Sequence, residues 1–359
     1  MMSPVLVAAA MLAVGAAAPP VVAKLGVYDY FTEESTPVIF NGVLLMLESI
    51  PTAYASFDPA FAACSAYFRV RDMKTLAVVV NISATCGQAF GAATVVPGAA
   101  GASDTLVVTG TQWDRRSLDD AGWSGPCAGA NPANCTINVF SSSSPLLEDA
   151  SWVTHAPGVR VPFGVYNSDV MRVPDAAGTP FKWVMALEAG QTGRFLTSAA
   201  AAPTDVAAWA LLDASYTLPR LPDVGSCPSL RHDGTFFYYL TGGTDIHILR
   251  STDLRNWTES PRHVLSHGDP GDCVVAPAFF GPYVPTGVAL QHLQTCGPNG
   301  NFGDDSDVDL VEWPAPFGSA ANGPAVLLEY GSGDQRSFGF SNLALVNASM
   351  IAFLQSFFP

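Results

Sequence analysis

Six carboxylates stand at the ends of short strand-like runs in this sequence: Glu48, Asp169, Glu188, Asp307, Asp309 and Glu329. Carboxyl groups gathered in one place repel each other's charge, which raises some pKa values and leaves others ionised, and so separates an acid from a base. That division suits cleavage of a glycosidic bond, where one group protonates the leaving oxygen and another activates water or attacks carbon. Asp307, Glu188 and Glu48 are the catalytic candidates, with Asp307 and Glu188 the leading pair. Asn167, Asp169, Asp309, Arg250 and Tyr239 are candidate substrate contacts. Trp113, Tyr166 and Tyr330 add aromatic surface on which a sugar face could stack. The plainer role is structural: a rim glutamate accepts hydrogen bonds from Arg71, Arg172 or Arg250 and ties sheets together. A structural calcium is a third use for such oxygens. No other cofactor is implied, because none of the six histidines has metal or triad spacing and there is no Gly-x-Ser-x-Gly elbow, dinucleotide fingerprint or phosphate loop.

The elements that must position these groups are strands. In a hairpin, the start of the first strand and the end of the second share one rim, which brings Thr36 near Glu48, Asn167 and Asp169 near Glu188, and Asp307 and Asp309 near Glu329. The clearest run is Cys227 to Trp257, where Asp233-Gly234 and Thr241 to Thr244 close successive hairpins. Phe236, Tyr238 and Leu240 project to one face and Phe237 and Tyr239 to the other, so this sheet needs apolar cover on both sides. Neighbouring blades round an axis supply that cover.

Four more such units follow from the pattern. Blade one spans Thr36 to Val80 with an Asn41-Gly42 turn, blade two runs from Phe90 to Trp152, and blade three from Val165 to Trp209. Blade five runs from Asp307 to Leu345, and the amphipathic tail Met350 to Phe358 seals it. The alanine-rich stretch Ala199 to Ala210 reads as a connecting loop rather than a helix. Two echoes support repetition. An acid stands four residues before tryptophan in Glu148/Trp152, Asp205/Trp209 and Asp253/Trp257, and Asn41-Gly42 and Asn322-Gly323 are each followed by a glutamate, Glu48 and Glu329. The expected fold is therefore all-β: a five-bladed β-propeller of four-stranded antiparallel blades, as a single domain over residues 25–359.

With 49% apolar against 13% charged residues, the chain can bury a large core. A net charge of −15, with no stripe among 16 Lys and Arg, argues against a nucleic-acid partner. The apolar opening, residues 1–18, ends in small residues and is short for a membrane span, so it reads as a secretory signal with no stable membrane association; no Lys or Arg precedes it, and an uncleaved anchor is the alternative. Four sequons, at Asn81, Asn134, Asn256 and Asn347, agree with export. So do seven cysteines, for which Cys64 with Cys86, Cys127 with Cys135, and Cys273 with Cys296 are plausible pairs that leave Cys227 as the odd thiol. Nothing in the sequence sets the oligomeric state.

Arg250-Ser251-Thr252-Asp253-Leu254 followed by Trp257 is similar to the strand-end signature Ser-x-Asp-Leu-x-x-Trp of five-bladed propeller glycoside hydrolases of the family 43 and family 32 kind. A group of family-43-like propellers resembles the chain further. Its landmarks are matched in order by Phe40-Asn41-Gly42, Phe68-Arg69, Asn167, Val184 to Glu188, Cys227 to Arg231, Asp304 to Glu312 and Phe353 to Phe358. The resemblance covers nearly all of the chain after the signal. It implies a substrate funnel on the propeller axis and hydrolysis of plant- or algal-type polysaccharide, often arabinose- or xylose-containing. One departure stands out: enzymes of this clan begin an inner strand of blade one with Asp-Pro, and Thr36-Pro37 occupies that place here. The alternative reading is a propeller that binds glycan or protein without turnover.

Overall fold

The computed structural model describes residues 20–30, 32, 34–52, 58–113, 127, 135–189, 192–213, 218, 227–242, 245–266, 306–314, 323–332 and 340–359. Residues 1–18, Asn134, Cys273 and Cys296 lie outside them, so the signal, one sequon and the third cysteine pair are not addressed by the structure.

Five antiparallel sheets stand round a common axis. Blade one is Ser35–Phe40, Val43–Pro51, Ala66–Asp72 and Val78–Ile82. Blade two has Thr105–Gln112 and Cys135–Ser142 at its centre, and each edge is broken in two: Gln88–Ala89 and Ala93–Val96 inside, Val153–Thr154 and Val159–Val161 outside. Blade three is Ser168–Arg172, Trp183–Glu188, Gly193–Ser198 and Ala210–Leu211, and blade four is Ser229–His232, Phe237–Thr241, His247–Ser251 and Thr258–Glu259. The first strand of each blade lies innermost, and these inner strands touch in sequence round a closed ring.

Blade five departs from the expected layout. Ser306–Trp313, Ala325–Ser332 and Phe340–Val346 supply its first three strands, but the fourth is Ala23–Tyr30, which pairs antiparallel with Phe340–Val346. The two ends of the chain thus meet in one sheet. The tail forms the helix Met350–Gln355, capped by Ser349, and sinks Phe353, Leu354 and Phe357 between blades four and five.

Apolar residues alternate to both faces, and each face fills one gap between blades. Val184 and Ala186 pack toward blade four with Leu230, Phe237 and Tyr239, whereas Met185 and Leu187 pack toward blade two with Ile137 and Val139. Tyr238 and Leu240 meet Leu310, Leu328 and Tyr330 of blade five. The acid-to-tryptophan echo belongs to the same packing: Trp152, Trp209 and Trp257 each wedge into the gap shared with the preceding blade. At the first gap the blades approach so closely that the Phe68 ring stands 2.6 Å from where a Cβ on either Gly91 or Gly110 would be. A side chain at Gly110 would have to displace that ring, and one at Gly91 would also meet the backbone carbonyl oxygen of Thr109 at 1.8 Å.

Turn chemistry follows the sequence. Asn41 and Gly42 both hold positive φ, 48° and 78°, as a two-residue hairpin turn of the Asn-Gly kind requires. The Ala199 to Ala210 stretch holds the 3-10 turn Val206–Ala208 and ends on the first residue of the strand Ala210–Leu211. Cys64 pairs with Cys86 and Cys127 with Cys135. Among the described residues, no helix is long and apolar enough to cross a membrane.

Glu48 shows how blade one is tied internally. It lies in Val43–Pro51, fully buried, and binds the Nε of Arg69 at 2.5 Å and that of Arg71 at 2.6 Å, both on the next strand. Burial alone would push its carboxyl up, but the two guanidinium charges and their hydrogen bonds hold it below the usual carboxylate range. Glu48→Gln would leave two buried cations short of a counter-charge and is expected to cost about 3–5 kcal/mol, read from the urea midpoint. Tyr28 seals the fifth gap against Leu44, Met46, Leu327 and Leu343, and Tyr28→Ala is expected to cost about 3 kcal/mol in the same measurement.

Candidate functional site

A polar depression opens where the inner strands begin, and all five blades reach it. Glu34, Ser35 and Thr36 come from blade one, Gly91 and Ala92 from blade two, Asn167 and Ser168 from blade three, Cys227 and Pro228 from blade four, and Val308 and Asp309 from blade five. The small residues of blade two leave room, and the other blades provide the polar atoms.

Three of the expected residues gather here. Asn167 lines the wall and donates from Nδ2 to Glu188 Oε2 at 2.9 Å and toward Cys227 Sγ at 3.1 Å. Glu188 is the last residue of Trp183–Glu188 and half-buried, so its carboxylate stands at the rim rather than inside the sheet. Asp309 also lines the depression. Asp307 falls in the same inner strand, where the pairing with Ala325–Ser332 is irregular between Ser306 and Asp309. Val308, which packs between blades four and five, and Asp309 both border the depression at this irregularity. The Asp307 side chain lies outside the described residues.

Beneath the rim, Asp169 and Asp309 share one cation. Arg231 donates to Asp169 Oδ2 at 3.0 Å through Nη1 and to Asp309 Oδ1 through Nη2, linking blades three, four and five. Asp169 Oδ2 also accepts from the Leu230 amide at 2.6 Å, and Asp309 Oδ1 from Ser229 Oγ at 2.9 Å. Burial raises the Asp169 carboxyl, the charge of Asp309 adds to the rise, and Arg231 opposes both; the outcome is a value of about 6. Asp169 is therefore a buried member of an inter-blade tie rather than a lining residue, which corrects its expected part as a substrate contact.

Three other expectations are corrected. Glu48 is held by two arginines inside blade one, because its strand continues for three more residues beyond it. Arg250 lies on the third strand of blade four with its guanidinium between the rings of Phe236 and Phe358, 4.8 and 4.3 Å from their centroids. Tyr239 is buried in the gap between blades three and four against Phe195 and Trp257. Conversely, Glu34 and Arg231 were not singled out by the sequence reading. Glu34 stands immediately before the inner strand Ser35–Phe40 and lines the depression together with Ser35 and Thr36. Arg231 closes the Cys227 to Arg231 landmark but carries no sign of its partners.

No group of three or more metal-ligating side chains converges among the described residues. Asp169 binds its proton more tightly in the folded chain than an ordinary aspartate does, so its contribution to stability is present below about pH 4 and lost as pH rises through about 6. Unfolding free energy measured from pH 4 to 7 is expected to fall more steeply with pH for the native chain than for Asp169→Asn; equal slopes would contradict the raised value.

No family profile matches the chain, and no curated protein does. Among solved structures it is similar to Zg3597, a family 117 glycoside hydrolase of the marine bacterium Zobellia galactanivorans, at 10% identity and a TM-score of 0.45 over 92% of this chain and 86% of that one. It is similar to a GH43_1 enzyme from Xanthomonas citri at 11% identity and a TM-score of 0.47, over 91% and 90%. A third is a structure from the GH130 family of mannoside phosphorylases, described as containing glycoside hydrolases that target β-1,2-mannosidic linkages in Candida mannan. Here identity is 12% and the TM-score 0.48, over 89% and 85%. These are likenesses of shape, while the ring itself rests on the strand pairing described above. The chain is a five-bladed β-propeller whose structural neighbours include glycoside hydrolases.

Proposed function

We propose that the chain is a secreted protein that hydrolyses glycosidic bonds in plant- or algal-type polysaccharide, with arabinose- or xylose-containing chains the first substrates to try. The observation that carries this reading is the axial depression, where Glu34 and Asp309 line the wall and Glu188 stands one hydrogen bond behind Asn167. Cleavage of an acetal uses one carboxyl group to protonate the leaving oxygen and a second to activate water or attack the anomeric carbon. Glu188 and Asp307 are the proposed pair. Glu34 is a third carboxylate at the mouth, close in sequence to Thr36, and would stand in for the aspartate that a glycosidase of this kind carries on blade one. Two disulfides suit an oxidising compartment and support export.

A second reading has its own support. Thr36 lines the depression where a nucleophile or base would be expected, and Asp309 in the lining is already engaged by Arg231 and Ser229. A site so occupied suits glycan binding without turnover.

Reducing-end release over arabinans, xylans and fructans separates the two. The native chain is expected to release sugar from at least one of them, and Glu188→Gln and Asp307→Asn are each expected to lower kcat by about 10²–10⁴-fold with the fold intact by circular dichroism. Absence of release from every substrate, with glycan binding retained, would establish the binding reading; release that survives both substitutions would remove this pair.

A further inference from the structure

The outer part of blade four carries two histidines that the axial site does not use. His247 opens the third strand, His247–Ser251, and Glu259 closes the fourth, Thr258–Glu259. Beyond Glu259 the chain turns back on itself: Ile246 N–H donates to the Leu265 carbonyl at 3.1 Å, and Val264 N–H donates to the Ile246 carbonyl at 2.7 Å. These two bonds hold the segment from Asp245 to His247 against the segment from His263 to Leu265. The imidazole rings of His247 and His263 are thereby set 4.4 Å apart between centroids, with their planes at 48°.

Each ring has its own carboxylate. His247 Nδ1 lies 2.8 Å from Glu259 Oε1, and His263 Nδ1 lies 3.0 Å from Asp245 Oδ2. An ionised carboxylate only accepts, so the neutral form of each ring carries its proton on Nδ1 and presents the lone pair of Nε2. A histidine that binds metal through one nitrogen is typically held in this way at the other, and the carboxylate also makes it a stronger ligand. The spacing agrees. An ion about 2.0–2.1 Å from a ring nitrogen lies roughly 3.2 Å from the ring centre, so rings 4.4 Å apart can share one ion at an angle of about 90°. The His263 side chain is 38% exposed against 13% for His247, so the pair is open to solvent on one side.

We propose that His247 and His263 bind one divalent transition-metal ion of the zinc or copper kind through Nε2, with Glu259 and Asp245 as the carboxylates behind them. Imidazole nitrogen suits these ions, whereas calcium and magnesium take oxygen. No third ligating side chain converges with the pair among the described residues, so the ion keeps its other positions for water or an incoming ligand. Ser229, at the start of the inner strand, aligns through Leu240 with Ile248, the neighbour of His247. The ion therefore belongs to the mouth side of the propeller, about 10 Å outward from the inner strand. The site stands on blade four alone and does not depend on the carbohydrate reading.

Zinc binding to the native chain, followed by isothermal titration calorimetry, is expected to include one site that calcium does not displace. Copper bound there should give an electron paramagnetic resonance spectrum with two nitrogen ligands. His247→Gln and His263→Gln should each weaken zinc at that site more than tenfold, and Glu259→Gln, which keeps both imidazoles, about tenfold. A native chain that binds no zinc at millimolar metal, or a folded His263→Gln variant that binds it as tightly as native, overturns the site. The exposed Glu259 keeps the test open should a histidine variant fail to fold: zinc affinity unchanged in Glu259→Gln would also count against the arrangement.

Discussion

A sheet whose residues are apolar on both faces has to be covered on both, and this constraint governs the whole molecule. Stacking blades in a row would leave two faces in water; closing them into a ring gives every blade two neighbours. Closure requires a fifth gap as well filled as the others, and Ala23–Tyr30 provides it by completing the last sheet and setting Tyr28 against Leu44 and Met46. The depression on the axis follows from this arrangement. Five inner strands that touch side by side must leave a space where they begin, and the residues at those starting points line it.

The same convergence creates an electrostatic problem. Strand starts from blades three and five bring Asp169 and Asp309 toward each other in a buried place, where like charges repel strongly. Blade four answers with Arg231, a planar cation able to meet two carboxylates at once. It also divides the carboxylates into two groups. Glu48, Asp169 and Asp309 are spoken for by arginines, whereas Glu34 and Glu188 stand nearer the open rim with an amide between the wall and the second of them.

The blade count was legible because it depends on local signals: Asn41-Gly42 and Asp233-Gly234 mark hairpins, and the unbroken aromatic run Phe236 to Tyr239 could only be a strand covered on both faces. The outer strand of blade five was not, since Ala23–Tyr30 finds its partner more than 300 residues away and nothing in its own composition points there. Among site residues, distance from the axis decided the outcome. Neighbouring strands are about 4.8 Å apart, so Arg250 on a third strand stands roughly 10 Å outside the inner one however polar its sequence context looks. Glu48 and Glu188 both lie on second strands, and only the one that ends its strand reaches the rim. Arg231 was missed for a related reason: a sequence shows that a cation closes a strand start, but not that two anions from other blades arrive beside it.

The seam in blade five also sets an order in time. Residues 23–30 are made more than 300 residues before the strand they must join, Phe340–Val346. Until then the opening strand has no partner in its own sheet, and blade one has one face uncovered. Four blades can assemble as the chain emerges, but the ring locks only after Phe340–Val346 has been made, so this contact of very high sequence separation closes it and defines the interval in which a helper protein or a premature encounter with another copy would act.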